Sequence, residues 1–204
     1  MVGTDEDEVD RVLRAGGLAC PGCSGVLAPW GYARRRTVRA EGEVWRLRPR
    51  RSRCGACGVS HVLLPTSCLV RRADSVAVIG AALVDKAAGL GHRRIAEAIG
   101  RACSTVRGWL RSFSLVAGVV GAAVTRLLLE VDPLCGPEPV GGSVLADAVQ
   151  MIGAAGAAVR RRLGSSVGRW SPWQVVGALS GGWLLHPARC RESINTSWLW
   201  AARV

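Results

Sequence analysis

Polar and apolar positions alternate over residues 45–49, where Arg46 and Arg48 are interleaved with Trp45, Leu47 and Pro49 and the next even position is Arg50. A period of two is typical of a β-strand, so this stretch predicts a strand with one wet, cationic face. A turn at residues 41–43 precedes it, and a second short strand is predicted over residues 59–64, before a proline. We therefore expect a small antiparallel sheet in the first third of the chain.

From residue 76 onward, apolar residues recur every three to four positions, which predicts helices. The first helix has a candidate cap at Asp74 or Ser75 and ends where two glycines follow. The last begins with Ser171-Pro172-Trp173-Gln174, which combines a capping box with proline at the first helical position. The predicted C-terminal helices span residues 115–131, 144–163 and 172–179. The predicted fold class is mainly α with a small β zinc ribbon.

Residues 93–111 have the pattern of a helix-turn-helix, a helix pair that places its second helix in the DNA major groove. Ala96 is small where the helices would cross, and Gly100 stands at the turn, where a positive φ is needed. The shared core is predicted to consist of Ile95, Ile99, Val106 and Trp109. A plain helical hairpin is the alternative interpretation.

The outward residues of this helix pair are polar or cationic, as a DNA-reading helix requires. Ser104, Thr105, Arg107 and Arg111 are predicted to approach base edges or phosphates, while Arg93 and Arg94 are predicted to contact the DNA backbone.

The charge balance favours a polyanionic partner. The formal net charge is +12 and the pI about 10.8, and all the cationic residues except Lys86 are arginines. The stretch between residues 34 and 50 concentrates them on the predicted hairpin, and its candidate phosphate contacts are Arg34, Arg35, Arg36, Arg46, Arg48 and Arg50. A solvated hairpin without a ligand remains the alternative.

Two C-x-x-C pairs are the most specific chemical motif in the sequence. They are Cys20-Pro21-Gly22-Cys23 and Cys54-Gly55-Ala56-Cys57. Two paired thiolates satisfy a tetrahedral Zn²⁺ ion, because each two-residue spacer lets a tight turn aim both sulfurs at one metal. Gly58 can take the positive φ that such a turn needs after its second cysteine. We expect Cys20, Cys23, Cys54 and Cys57 to bind one Zn²⁺, with a long β-hairpin in the spacer.

The alternative uses of these cysteines are a disulfide framework, an iron site and a redox motif. A disulfide framework would need an oxidising compartment, but residues 1–10 are acidic rather than a secretory signal, so we expect a reducing cytoplasm. A rubredoxin-like iron site shares the spacing. A redox C-x-x-C motif would need only one pair.

The order of these motifs from about residue 18 to 112 resembles the zinc-ribbon and helix-turn-helix front end of insertion-sequence transposases. It resembles still more closely a family of uncharacterised proteins from high-GC bacteria, and this likeness extends to Trp170–Trp173. The segments that carry it are Cys20–Cys23, Ala28–Gly31, Arg34–Arg53, Cys54–Gly58, His61–Pro65 and Gly91–Ala96. The resemblance implies DNA binding by a domesticated or accessory part of mobile-element machinery.

The predicted organisation is an acidic segment over residues 1–17, a zinc ribbon over 18–65, a helix-turn-helix over 70–114 and a helical region over 115–204. The predicted function is non-enzymatic binding of double-stranded DNA, in the cytoplasm at the nucleoid, with no small-molecule substrate. Residues 115–204 are expected to form a homodimer or to bind a protein partner, because Val116, Val119, Val120, Val124 and Leu127 recur at helical spacing. The alternative is that these residues close the core of a monomer.

Two alternatives stay open: a catalytically incomplete transposase subunit that acts with a separate enzyme, and an interaction module whose ribbon binds protein or RNA. A membrane location is not expected, because residues 115–131 contain Arg126 and fall short of the roughly 20 residues of a spanning helix.

Overall fold

The computed structural model describes residues 1–2, 6–135, 141–163 and 170–193. Over these residues the protein is mainly helical with a small antiparallel sheet, as the sequence predicts. The helices are α1 (Glu6–Arg14), α2 (Val76–Ala87), α3 (His92–Ala98), α4 (Cys103–Ser114), α5 (Ala117–Val131), α6 (Val144–Leu163), α7 (Pro172–Leu179) and α8 (Pro187–Ser193). The strands are β1 (Leu27–Tyr32), β2 (Arg36–Arg39), β3 (Val44–Leu47), β4 (Arg50–Cys54) and β5 (Ser60–Val62).

The strands form a long hairpin with a third strand at its base. Strands β1, β4 and β5 pair antiparallel in the order β1-β4-β5, and β2 pairs with β3 as a separate ladder toward the tip. The predicted continuous strand over residues 44–50 is therefore wrong in one respect, because it breaks between Leu47 and Arg50. Pro49 lies in the break and lacks the N–H that a ladder would use.

Helix α1 covers one face of the β1-β4-β5 sheet. Val9 and Leu13, one turn apart, are buried together with Leu27, Leu63, Cys20 and Cys54. Asp10 on the same helix pairs with Arg50 on β4. The acidic segment thus folds onto the cysteine-bearing sheet, which the sequence analysis did not predict. We call α1 together with β1–β5 the β unit.

The helical elements begin and end close to the predicted residues. Helix α2 is capped by Ser75, whose side chain accepts a hydrogen bond from the backbone N–H of Val78, and α7 has the predicted capping box between Ser171 and Gln174. Helix α6 spans the predicted residues, while α5 begins at Ala117, two residues later than predicted. These N-terminal signals are reliable because they satisfy backbone donors that the helix itself leaves unpaired.

Helices α2 to α7 bury one continuous hydrophobic cluster that extends from Leu69 to Cys190. Helices α5 and α6 run in the same direction, with Gly121 against Ala148 near their start and Asp132 paired with Arg161 near their end. The core crosses the predicted boundary at residue 114, so the later helices complete the same core as α3 and α4.

This core corrects the reason given for an assembly surface on α5. Val116, Val120, Val124 and Leu127 are all buried inside the chain's own core, and Val119 is half-buried. The helical spacing of these residues therefore reflects internal packing rather than an exposed dimer face.

Within the part of the chain that the structure describes, no single helix is long and apolar enough to cross a membrane. Only α4 and α5 taken together meet the criteria of length and composition, and they are bent by 62°.

Candidate metal centre and cationic surface

The two C-x-x-C pairs form matching tight turns at the base of the β unit. In the first turn the N–H of Ser24 donates to the carbonyl of Cys20, and in the second the N–H of Gly58 donates to the carbonyl of Cys54. The residue after each pair has a positive φ, 59° at Ser24 and 71° at Gly58. The positive φ predicted for Gly58 is confirmed, and the strained Ser24 equivalent was not predicted.

These turns bring the four sulfurs into one cluster that could hold a metal ion. The Sγ atoms of Cys20, Cys23, Cys54 and Cys57 all lie within 4.8 Å of one another. The Cys20–Cys57 separation is 3.8 Å and the Cys23–Cys54 separation is 3.5 Å. Four sulfurs about 2.3 Å from one tetrahedral zinc would lie about 3.8 Å apart, so the cluster has the dimensions of a Cys₄ metal site.

Gly25 packs closely against the side chains of the cysteine cluster. A Cβ added at Gly25 would lie 2.9 Å from the Sγ of Cys54 and 2.7 Å from the Cβ of Ala56. Glycine is therefore needed where the chain leaves the first turn. Cys20 and Cys54 are buried while Cys23 and Cys57 are exposed, so one side of the site opens to solvent.

One thiol of the cluster is prepared to be a ligand. The backbone N–H of Cys57 donates to the Sγ of Cys54 at 3.5 Å, and this bond, aided by the N–H of Ala56, lowers the pKa of Cys54 to about 6. At Cys23 the N–H of Gly25 lowers the pKa, but the neighbouring sulfurs of Cys54, Cys57 and Cys20 raise it to about 12. Of these two thiols, Cys54 is therefore the one that favours the thiolate form.

His61 on β5 also lies at this site, which the sequence analysis did not predict. Its Nε2 atom lies 3.4 Å from the Sγ of Cys20. With the proton on Nε2 the imidazole would donate to this sulfur, an interaction that would orient the thiolate toward a bound metal. The sequence feature that could have indicated this position is that His61 lies on the strand directly after the second cysteine turn.

The residues predicted as the shared core of α3 and α4 lie in the interior of the protein. Ile95, Ala96, Val106 and Trp109 are buried, Ile99 packs against the same core, and Gly100 has a φ of 63° between the helices. On the opposite side Arg93, Arg94, Ser104, Arg107 and Arg111 are exposed, and Thr105 is half-buried.

The arginines of the β2-β3 hairpin divide into outward and inward sets. Arg34, Arg35, Arg46 and Arg48 are exposed. Arg36 instead donates to the carbonyls of Leu69 and Arg72, and Arg50 pairs with Asp10. The predicted cationic face therefore loses Arg36 and Arg50, whose guanidinium groups join the hairpin to the rest of the protein.

Asp74 joins the hairpin to the helix pair. Its carboxylate is 3% exposed and accepts from Arg39 on β2 at 2.7 Å and from Arg101, in the α3–α4 turn, at 2.6 Å. Arg101 also donates to the carbonyl of Ala40. The arginine hairpin and the helix pair are thus held in fixed relation by one buried acid.

The described part of the chain therefore presents a candidate metal centre and, apart from it, a rigidly linked cationic and polar surface. No protein family, curated protein or solved structure matches the chain.

Proposed function

We propose that the protein binds double-stranded DNA without catalysis, with α4 as the recognition helix of a helix-turn-helix and the β unit as a zinc ribbon. The observation that carries the proposal is the two-sided character of α4. Val106, Trp109, Leu110 and Phe113 are buried, while Ser104, Arg107 and Arg111 face solvent on a helix that follows a glycine turn. This is the arrangement by which such a helix enters a major groove.

In this proposal the arginines of the interface divide between base reading and phosphate contact. Arg107, in the N-terminal half of α4, reads a base edge, and arginine does so with two hydrogen bonds to guanine. Arg93 and Arg94 on α3 and Arg46 and Arg48 on the hairpin contact phosphates. Phosphate contacts fix the register of the protein on the duplex and give affinity for any sequence.

Zinc has a structural role in the proposal. A bound Zn²⁺ supplies folding free energy to a unit that has little core of its own. Cys20, Cys23, Cys54 and Cys57 hold the ion, and His61 orients Cys20. Asp74 joins Arg39 on the hairpin to Arg101 in the α3–α4 turn, so the folded β unit is attached to the helix pair at that turn.

Fluorescence anisotropy on labelled duplex DNA tests the proposal, with a preferred site compared with random sequence over a range of salt concentration. Affinity should fall steeply with salt, because arginine contacts release condensed counterions. Arg107→Ala should cost about 1–3 kcal/mol on the preferred site and less on random DNA, whereas Arg46→Ala should weaken both about equally.

Arg126→Ala is the matched control, since Arg126 is exposed on α5 and has no role in the proposed interface. Its affinity should equal that of the wild type. If Arg107→Ala and Arg46→Ala lower binding to preferred and random DNA by the same factor, α4 does not read sequence.

The proposed setting is the nucleoid, as a regulator or as a part derived from mobile-element machinery. In the second case a separate enzyme would perform the chemistry and this chain would recognise the DNA ends.

A further inference from the structure

The β1-β4-β5 sheet has two faces with different contents. Residues directly opposite each other in antiparallel strands project to the same side. Leu27 pairs with Cys54, and Ser52 pairs with His61; this is the inner side, where Leu27, Ser52 and Cys54 are buried. The neighbouring pairs, which project to the other side, are Ala28 with Arg53, Arg53 with Ser60, and Arg51 with Val62.

That outer face carries an exposed tryptophan beside two arginines. Trp30 lies in the irregular part of β1, is 53% exposed, and has the guanidinium carbon of Arg53 4.8 Å from its ring centroid. Arg51 donates to the hydroxyl of Ser60 at 3.1 Å, which holds it on the same face. No acidic residue is among the described residues of the face, which are Ala28, Trp30, Arg51, Arg53, Ser60 and Val62.

Core packing does not explain why a tryptophan stands at position 30. Burying such a ring would gain free energy in proportion to its apolar area, yet about half of Trp30 remains in contact with water. The stacked guanidinium of Arg53 covers part of the ring and keeps a positive charge beside it.

We propose that this face is a second nucleic-acid site, which binds an unpaired polynucleotide strand by stacking a base on Trp30 while Arg51 and Arg53 contact its phosphates. Positive charge beside an aromatic ring is the combination that binds single strands without sequence preference. Bases within a duplex are stacked on one another and present only their edges, so a tryptophan face reaches them only where they are unpaired. The absence of acidic groups on the face argues for a polyanion over a protein partner.

The site is distinct from the proposed duplex interface and does not depend on it. Trp30 and Arg53 lie on the outer face of the three-stranded sheet, whereas the proposed duplex contacts lie on α3, on α4 and, for Arg46 and Arg48, on or just after β3 in the separate β2-β3 ladder. A protein with both sites could hold duplex and unpaired strand together.

The test measures binding of full-length protein to fluorescein-labelled oligothymidine, oligouridine and a blunt-ended, two-strand mixed-sequence duplex by anisotropy. Trp30→Ala should weaken single-strand binding roughly tenfold or more, because one stacked base is lost, and Trp30→Phe should retain most of it. Arg53→Ala should weaken binding and flatten its salt dependence. Duplex affinity should be unchanged in all three variants. Comparison of the two single strands shows whether DNA or RNA is preferred.

Tyr32→Ala is the matched control. Tyr32 is also an exposed aromatic residue stacked by arginines, but it pairs with Arg50 on the inner side of the sheet. The Tyr32→Ala protein should bind single strands like the wild type. The Trp30→Ala protein should keep wild-type metal content and thermal stability, because about half of the Trp30 side chain is exposed.

The proposal is overturned if the wild type binds neither single strand, if Trp30→Ala binds them unchanged, or if Tyr32→Ala loses as much as Trp30→Ala. Equal loss of single-strand and duplex binding in Trp30→Ala also overturns it, because the sites would not be separate. If duplex binding shows that Arg107 does not read sequence, the comparison of single-strand binding between Trp30→Ala and Tyr32→Ala still tests this site.

Discussion

Ser24 and Gly58 occupy the same position in the two cysteine turns, and both have a positive φ. Only glycine takes this conformation without steric cost. Ser24→Gly should therefore stabilise the protein by about 1 kcal/mol, and Gly58→Ala should destabilise it by about the same amount. Urea unfolding of the zinc-loaded protein measures both changes. A Ser24→Gly protein that is less stable than the wild type would show that the serine side chain, and not the backbone, decides the turn.

Metal binding should depend on pH through the cysteine thiols. The pKa of Cys54 is lowered to about 6, so its thiolate is present at neutral pH and is lost as the pH falls through that value. Because protons compete with the metal for all four thiolates, zinc retention should be highest at neutral pH and above, and should decline as the pH is lowered. A chromogenic chelator measures the released zinc.

Substitution of one ligand should remove the metal at neutral pH. Cys54→Ser should fail to retain about one zinc per chain, and its β unit should unfold. Cys103→Ser is the control, because Cys103 is exposed on α4, away from the cluster. Full zinc content in Cys54→Ser would refute the Cys₄ site.

At the scale of single residues, the sequence predicted the features that depend on the spacing of residues within a motif. The four ligands and the conformation of Gly58 follow from the C-x-x-C pattern. His61 and the Asp10–Arg50 pair did not follow, because those contacts depend on how α1 and β5 pack against the turns.

Among the elements, the contact between β2 and the α3–α4 turn depends most on a single side chain. Asp74 is nearly fully buried and holds Arg101, which is 15% exposed, and Arg39, which is 47% exposed. Asp74→Asn keeps the shape but removes the charge, and should cost about 2 kcal/mol of unfolding free energy. Arg39→Ala should cost less than about 1 kcal/mol, because its pair is partly screened by water.

Urea unfolding measures these costs, and Asp85→Asn is the control. Asp85 is half-buried on α2, and its substitution should change stability by less than about 0.5 kcal/mol. If Asp74→Asn and Asp85→Asn had the same small effect, the hairpin would be held by its other bonds, from the Arg39 backbone to Ala73 and Ser75 and from Arg36 to Leu69 and Arg72, rather than by the buried acid.

Helix limits were predictable because caps and periodicity are local. The helices α2, α6 and α7 fall on the predicted residues, and the core of the α3–α4 pair is the predicted one. The strand over residues 44–50 was mispredicted because its alternation continues through Pro49, where the ladder cannot.

At the scale of the whole molecule, the helical core depends on close contacts that no sequence pattern reveals. A Cβ on Gly80 of α2 would lie 2.3 Å from the ring of Trp173 on α7. Gly80→Ala should therefore cost about 1–3 kcal/mol, despite the better helix propensity of alanine. Gly153→Ala on α6 is the control, since nothing lies within 4 Å of the added Cβ, and it should stabilise by up to about 1 kcal/mol.

The domain boundary predicted at residue 114 illustrates the same limit. Helical spacing shows that a face of α5 is apolar, but it does not show which surface covers that face. Helices α6 and α7 cover the apolar face of α5. Local sequence patterns could not predict this packing, because α6 and α7 are distant in sequence from α3 and α4.

The central claim is that α4 reads DNA sequence, and selection from a random duplex library tests it most directly. The zinc-loaded protein is incubated with the library, and the retained DNA is sequenced. The account predicts enrichment of a motif of a few base pairs, which Arg107→Ala loses at one or two positions and Arg126→Ala keeps unchanged. Retained DNA with the same base composition as the input library, for the wild type and for both variants, would contradict the claim.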